Sequence, residues 1–227
     1  MASEILNIIE WGEVPYEDAW RRQQDIFNGK IVSKQSKQLP SNDLILCSHP
    51  PVYTIGRNGN PRNLLVTEKE LQARGALFYK IDRGGDITFH GPGQIVGYPI
   101  IDLEQFHWGI KTYLFNIEEL IIRLLACYDI KGERFQGATG VWLEPYTARA
   151  RKICAIGVRA SHYVTMHGFA LNVNTDLRWF SLINPCGFTD KSVTSMQQEL
   201  NRPVPIEEVT GKMKLIAKEI FQTGLNI

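Results

Sequence analysis

The sequence predicts an α+β domain in which a mixed, mostly antiparallel sheet is flanked by helices. Several strand-like runs are joined by short turns, two long segments have helical spacing, and strands do not alternate strictly with helices as in a parallel α/β sheet. Neither a repeat nor a Pro/Gly/Ser linker divides the 227 residues. We therefore predict a single domain over residues 1–227.

The helices are predicted from capping signals and apolar periodicity. Pro15 suits the first turn of a helix, where its missing N–H has no partner to lose. Thr67 and Glu70 match a capping box, which predicts a short helix after Thr67. Apolar residues recur at helical spacing over residues 111–128 and again over residues 205–221. These are the two longest helices expected after the N-terminal one.

The strands are predicted from short apolar and β-branched runs bounded by turn residues. The last two runs are long and separated by a short polar turn, so we expect them to form a hairpin. The glycine-rich segment 83–94 is predicted to be a loop between two strands. The predicted strands cover residues 5–11, 43–49, 52–56, 77–82, 95–103, 152–160 and 163–174.

Composition excludes several classes of protein. Hydrophobic residues make up 44% of the chain and charged residues 22%, values typical of a globular protein. A formal net charge of +1 provides no broad basic surface for nucleic acid. The chain shows no apolar run of membrane-spanning length, no secretory signal and no cysteine spacing typical of a metal site. We therefore expect a cytoplasmic protein with free thiols, no metal, and no membrane or nucleic-acid partner.

Two segments have the composition of a ligand site. "RGGDITFHGPGQ", residues 83–94, combines four glycines with Arg83 and His90, and glycines allow a backbone to approach a ligand closely. It lacks the lysine of a phosphate-binding P-loop, and ordinary tight turns would explain it equally well. Lys152 directly precedes an apolar run, so its side chain could lie partly desolvated at the end of a strand, a setting that suits proton transfer.

Cys186 lies between a proline and a glycine in "INPCG". An unpaired cysteine is usually a packed residue, and the alternative is a nucleophile presented on a turn. A Cys–His pair through His90 or His167 also remains open. His49 is predicted to be structural. The arginines near Lys152, Arg149, Arg151 and Arg159, are either a solvated face or a basic patch for acidic partners.

Several motifs in the same order resemble the lipoyl(octanoyl) transferases, relatives of the biotin and lipoate protein ligases. They are "HPPVYTIGR", "RGGDITFHGPGQIVGYPIIDL", "TGVW", "KICAIGV", "HGFALNVNTDL" and "INPCG", and they extend over about residues 44 to 200. The resemblance implies a biotin/lipoate ligase-like catalytic domain. Two positions depart from the family pattern: Ser48 stands where an acidic residue is common, and Phe169 stands where leucine is common.

The resemblance also implies which residues form the site. Cys186 corresponds to the acyl-carrying nucleophile and Lys152 to its activating partner. Chain-length selectivity should reside in the acyl-binding surface, and a leucine at Gly168 should fill the groove. The residues implied for this surface are Arg83, Gly84, Gly85, Asp86, Ile87, Thr88, Phe89, His90, Ala155, Ile156, Gly157, Gly168, Phe169 and Ala170.

The implied reaction transfers an octanoyl group from octanoyl-acyl carrier protein to a lysine of a lipoyl domain. The expected acceptors are the lipoyl domains of 2-oxoacid dehydrogenase complexes and the glycine cleavage H protein. No cofactor is expected, because the donor thioester is already activated. Two alternatives remain: an ATP-dependent lipoate-protein ligase of the same fold, and a non-catalytic module that binds lipoyl domains.

Overall fold

A computed structural model of the chain describes residues 6–184 and 191–223, and these form two sheets and five α-helices. The strands are β1 (Asn7–Glu13), β2 (Asp43–Ser48), β3 (Val52–Ile55), β4 (Leu77–Lys80), β5 (Ile87–His90), β6 (Gln94–Ile100), β7 (Glu133–Arg134), β8 (Gly140–Leu143), β9 (Arg151–Ser161), β10 (Val164–Asn172) and β11 (Ser192–Val193). The helices are α1 (Tyr16–Gln35), α2 (Glu68–Ala73), α3 (Ile110–Ala126), α4 (Met196–Leu200) and α5 (Ile206–Thr223).

The larger sheet has the strand order β1-β2-β6-β10-β9-β8-β7, with β11 added beside β9. All neighbours are antiparallel except the pairs β1–β2 and β9–β11. The smaller sheet has the order β4-β3-β5. The predicted α+β class with a mixed, mostly antiparallel sheet is confirmed, as is the hairpin of β9 and β10.

Two apolar layers cover the larger sheet. α3 and α5 lie on one face over a large cluster that includes Ile153, Ile156 and Phe169. α1 lies on the other face over a smaller cluster that includes Ala170. Neither α3 nor any other helix within the described residues combines the length and apolar character that crossing a membrane requires.

Local sequence signals predicted most elements correctly, and one predicted loop was wrong. Thr67 and Glu70 form the expected capping box at the start of α2. Segment 83–94, predicted to be a loop throughout, instead contains β5, which pairs antiparallel with β3. A four-residue strand between glycines has too few alternating positions to be recognised, and its pairing partner lies far away in the sequence.

Candidate functional site

A face of small residues runs along the β9–β10 ladder. Ala155 is paired with Ala170, and Gly157 with Gly168. The intervening residues Ile156 and Phe169 pack into the cluster under α3 and α5. Because the small pairs fill little space, the ladder borders a cavity of about 560 Å³.

The cavity gathers most of the predicted site residues. Those that line it are Arg83, Gly84, Gly85, Asp86, Ile87, Thr88, His90, Lys152, Ala155, Ile156, Gly157, Gly168, Phe169 and Ala170. Whether they bind an acyl chain stays a prediction. Cys186 lies outside the described residues.

Phe89 is not brought to the cavity. Its ring is 1% exposed and stacks on Trp179 at 5.3 Å between centroids, with Tyr53 at 5.1 Å. It packs in the core of the smaller sheet, because residue 89 of β5 points to the apolar cluster of that sheet. The glycine-rich sequence did not reveal this alternation.

A β-bulge directs Lys152 to the cavity. Val141 pairs with Cys154 and Trp142 with Lys152, which leaves Ile153 as an extra residue in β9. In a regular strand Lys152 would share the face of Cys154 and point into the core. The bulge reverses the alternation, so Ile153 and Cys154 are both fully buried in the core while Lys152 lines the cavity. The Nζ atom of Lys152 lies 4.6 Å from the centroid of the Trp142 ring.

The described residues on either side of segment 185–190 are held by backbone hydrogen bonds. The Asn184 N–H donates to the Asn63 carbonyl at 2.8 Å. On the other side, Val193 of β11 pairs with Lys152, and the Thr194 N–H donates to the Lys152 carbonyl at 2.9 Å. Asn184 and Thr194 are therefore both fixed by hydrogen bonds, the latter to Lys152 itself.

The cysteines within the described residues differ in exposure. Cys47 and Cys154 are buried, and burial raises the pKa of both thiols, that of Cys47 to about 12. Cys127 is exposed at the end of α3. Buried neutral thiols are poor nucleophiles, so neither Cys47 nor Cys154 is a candidate acyl carrier.

The glycine-rich segment contacts the ladder directly. The Gly84 N–H donates to the Val158 carbonyl at 2.9 Å, and a Cβ on Gly157 would lie 2.8 Å from the Gly84 carbonyl oxygen. Arg83 is buried and donates to the Thr54 carbonyl and hydroxyl at 2.8 and 2.9 Å. Gly157 therefore has no side chain because the loop backbone takes that space.

Gly168 differs from the expectation for a groove wall. A Cβ there would lie 2.1 Å from the Gly97 carbonyl oxygen and 2.6 Å from Cδ of Pro99, both in β6. A leucine at Gly168 would therefore collide with the neighbouring strand before it filled the cavity. The substitution is therefore expected to disturb the packing of β10 on β6, and its effect on the groove stays a prediction.

His167 occupies the end of the cavity opposite Lys152. Its φ of 62° lies in the left-handed region, and its Nε2 lies 2.8 Å from the Asp82 carboxylate, which also pairs with Arg159. The hydrogen bond from His167 lowers the pKa of Asp82 to about 2, and burial lowers the pKa of His167. An ionised Asp82 only accepts, so the neutral ring donates from Nε2.

The other two histidines near the cavity are also held neutral. His49 Nδ1 donates to the Val14 carbonyl at 2.7 Å, and its Nε2 accepts from the Tyr98 hydroxyl at 2.7 Å. Burial lowers the pKa of His49 to about 4 and that of His90 well below its usual value. These hydrogen bonds bear out the structural role predicted for His49.

The three arginines near Lys152 do not form one face. Arg149 pairs with Glu144, Arg151 with Glu199, and Arg159 with Asp82 at the far end of β9. Each guanidinium therefore has a carboxylate partner, and the third is remote from Lys152. The pairing weakens the hypothesis of a basic docking patch.

Sequence reasoning missed several residues of the cavity. The resemblance assigned them no role. Half of them lie in the quoted motifs, which was the available signal: Gln94, Val96, Tyr98, Thr139 and Asn172. The cavity-lining residues that were missed include Tyr16, Asn58, Gln94, Val96, Tyr98, Leu114, Thr139, Asn172, Phe180 and Val193.

Comparison with known proteins defines the class first. The fold matches that of a bi-partite lipoate protein ligase of Thermoplasma acidophilum with a TM-score of 0.66 at 13% identity, over 96% of this chain and 92% of that one. This likeness shows a lipoate ligase fold and leaves the reaction open.

The family follows from the sequence itself. Residues 15–216 match the lipoyl protein ligase A/B catalytic domain, and the chain belongs to that family. A relative from Bacteroides thetaiotaomicron named octanoyltransferase is 54% identical over 207 residues, 91% of each protein. One of the same name from Parabacteroides distasonis is 54% identical over 211 residues, 92% of this chain and 96% of that protein. The resemblance to octanoyltransferases is confirmed, and the chain is an acyltransferase.

Proposed function

We propose that the protein transfers an octanoyl group from octanoyl-acyl carrier protein to a lysine of a lipoyl domain, through a thioester on Cys186. The observation that carries the proposal is the cavity above the small residues of β9 and β10, with Lys152 at one end of it. The shared name of the two octanoyltransferase relatives supports the same acyl group.

The apolar floor suits a saturated chain. Ala155 and Ala170 leave room that larger side chains would take. Each methylene buried there contributes up to about 0.8 kcal/mol, so seven carbons beyond the carbonyl provide several kcal/mol of binding.

In the first half-reaction the Cys186 sulfur attacks the carbonyl carbon of the donor thioester. Lys152 accepts the thiol proton, and the carbon–sulfur bond to phosphopantetheine breaks. The departing sulfur takes a proton back from Lys152. The products are the acyl-enzyme thioester and free carrier thiol, and no oxidant, reductant or nucleotide is consumed.

In the second half-reaction the ε-amine of the acceptor lysine attacks the acyl-enzyme. An amine with a usual pKa near 10.4 must lose a proton to form a neutral amide, so a general base is required. We assign that proton to Lys152, which returns it to the Cys186 thiolate. Activation of the thiol alone would provide a net gain of only about threefold, because a roughly 16-fold rise in thiolate is offset by a roughly fivefold fall in nucleophilicity as the thiol pKa falls.

The proposal needs no cofactor, because the thioester supplies the energy for amide formation. Carrier protein and lipoyl domain are the two partners. An ATP-dependent ligase would instead activate a free acid. Incubation with octanoate and ATP should therefore yield no modified lipoyl domain, whereas octanoyl-acyl carrier protein without ATP should yield octanoylated lysine.

Intact-protein mass spectrometry tests the intermediate. Donor alone should add one octanoyl mass, which hydroxylamine removes and Cys186→Ala prevents. Cys127→Ser is the control, because Cys127 is exposed and would carry any non-specific label. A label that persists in Cys186→Ala, or that maps to Cys154, would overturn the proposal. A protein that binds lipoyl domains but is never acylated would favour the non-catalytic module.

A further inference from the structure

The side chain of Lys152 is confined by two residues of β8. Its Nζ lies 4.6 Å from the centroid of the Trp142 ring, and its Cδ and Cε would each lie 3.6 Å from a Cβ placed on Gly140. Gly140 has a φ of 126°, which L side chains rarely adopt. The stem of the lysine therefore passes over a glycine, and its ammonium reaches an aromatic face.

Trp142 itself is fixed in place. It is 1% exposed, its Nε1–H donates to the Ala138 carbonyl at 3.1 Å, and the edge of Phe135 packs on it with centroids 5.3 Å apart. The cross-strand pairing of Trp142 with Lys152 depends on the bulge at Ile153. The indole is thus a rigid surface on which a flexible lysine can be ordered.

We propose that Trp142 is a positioning residue that orders the Lys152 ammonium at the end of the cavity. An ammonium over an indole face is attracted by the ring quadrupole, most strongly where water is excluded, and Lys152 is only 8% exposed. The catalytic consequence rests on the proposed function, since it requires Lys152 to exchange protons there. The ordering of the Lys152 side chain by Trp142 does not depend on that function.

Other charges near Lys152 come from several elements. Glu118 of α3 accepts from the Gly140 N–H at 3.0 Å and pairs with Arg134. The charges of Lys152 and Glu118 both act on the Cys154 thiol. Lys191 lies over the Phe135 ring, and Arg151 is paired with Glu199. These groups stay unchanged in the variants below, so a difference between variants reports on the indole.

Nuclear magnetic resonance of the full chain with ¹³C-labelled lysine tests the geometry without activity. The Lys152 Hε protons, assigned by their absence in Lys152→Ala, should be shifted upfield by the indole ring current. Trp142→Phe should keep a smaller shift, and Trp142→Leu should remove it. A wild-type shift equal to that of exposed lysines, or one unchanged in Trp142→Leu, would overturn the proposal.

A double-mutant cycle tests the consequence for catalysis. Trp142→Leu should slow single-turnover transfer from the acyl-enzyme by about tenfold, which lies between the effects of an exposed and a fully desolvated cation–aromatic contact. Trp142→Phe should recover most of that rate. In the Lys152→Ala background Trp142→Leu should have no further effect, because interacting residues are not additive. Additive losses would show a merely structural role and overturn the proposal.

The matched control is Tyr128→Leu. The Lys212 Nζ lies 4.1 Å from the centroid of the Tyr128 ring, and neither residue lines the cavity, so this variant removes a comparable cation–aromatic contact elsewhere. Its transfer rate should equal that of wild type. If Lys152→Ala alone transfers at the wild-type rate, the assigned role of Lys152 in the proposed function fails, while the resonance shifts still decide the role of Trp142.

Discussion

The two ends of the cavity hold their charged groups in different ways. They are separated by roughly 16 Å along β9, five regular strand steps from Lys152 to Val158 once the bulge is set aside. At one end Lys152 lies over an aromatic ring beside the anchored start of β11. At the other end His167, Asp82 and Arg159 are joined by hydrogen bonds and an ion pair.

The two ends differ in how firmly their charged groups are held. Hydrogen bonds to an ionised carboxylate fix both position and tautomer, so the His167 end is a firm wall. A lysine on an aromatic face is oriented by a less directional attraction, and it is to this lysine that the proposed function assigns proton transfer. We therefore expect substitutions at the first end to change rates and substitutions at the second to change stability.

The largest effect is expected for Lys152→Ala. Loss of a general acid–base group should lower the single-turnover rate of both half-reactions by about 10²- to 10⁴-fold. Lys152→Arg should not restore either rate, because a guanidinium keeps its proton. Raising the pH should partly restore the alanine variant. Near-wild-type transfer by Lys152→Arg at pH 7 would mean that the ammonium acts only through its charge.

Next in size is the effect of Gly168→Ala on stability. The new Cβ would meet main-chain oxygen 2.1 Å away in β6, so the free energy of unfolding should fall by about 3 kcal/mol. Gly29→Ala is the control, because nothing lies within 4 Å of its Cβ position in α1 and helix propensity predicts a gain of about 0.5–1 kcal/mol. Denaturant titration measures both. Equal changes would contradict the close approach of β10 and β6.

The histidines near the wall make stability depend on pH. Burial holds the pKa of His49 near 4, below its unfolded value of about 6.5. Its contribution is complete above pH 6.5 and is lost as the pH falls to about 4, at a slope approaching 1.4 kcal/mol per pH unit. The lowered pKa values of His90 and His167 act in the same direction.

Denaturant titrations from pH 7 to 4 should therefore show a steady loss of unfolding free energy. His49→Gln should lower the proton uptake on unfolding by up to one proton, so the unfolding free energy should depend less steeply on pH but should still depend on it. Asp82 contributes only below this window, because its stabilising charge is lost as the pH falls from about 4 through 2. A flat profile in the wild-type protein would show that the histidines are solvated.

The smallest effect is expected from Ala155→Leu, which tests the floor between the two ends. Ala155 lines the cavity and is partly exposed to it. Three added carbons would displace about as many methylenes of an acyl chain, so the rate ratio of hexanoyl to octanoyl donor should rise severalfold. An unchanged ratio with an unchanged melting temperature would place the acyl chain elsewhere.

Short-range features of this protein were predictable from sequence. The capping box of Thr67 and Glu70 depends on residues three apart, and the β9–β10 hairpin joins strands that are adjacent in the chain. The clustering of Arg83, His90, Ala155 and Ala170 came from the family resemblance, since no local rule brings β5 to β9 and β10.

Features that depend on long-range pairing were not predictable. The resemblance assigned Phe89 to the acyl surface together with the whole of segment 83–90, whereas pairing of β5 with β3 decides which of its residues face inward. The left-handed conformation of His167 and the extra residue Ile153 leave no signal in hydrophobic periodicity. Both features are determined by the pairing register between neighbouring strands.

The bulge in β9 also bears on insertions and deletions. Side chains alternate along a strand, so from Cys154 onward β9 presents its even-numbered residues to the core and its odd-numbered residues to the cavity. On the other side of the extra residue Ile153 the two sets are exchanged. Deleting Ile153 with every other residue unchanged would restore a regular ladder that still pairs Trp142 with Lys152. Adding one residue between Lys152 and Ile153 would instead turn the amine toward α3. The direction of the Lys152 side chain therefore depends on the number of residues between it and Cys154, so an inserted codon would redirect the amine while a deleted Ile153 codon would not.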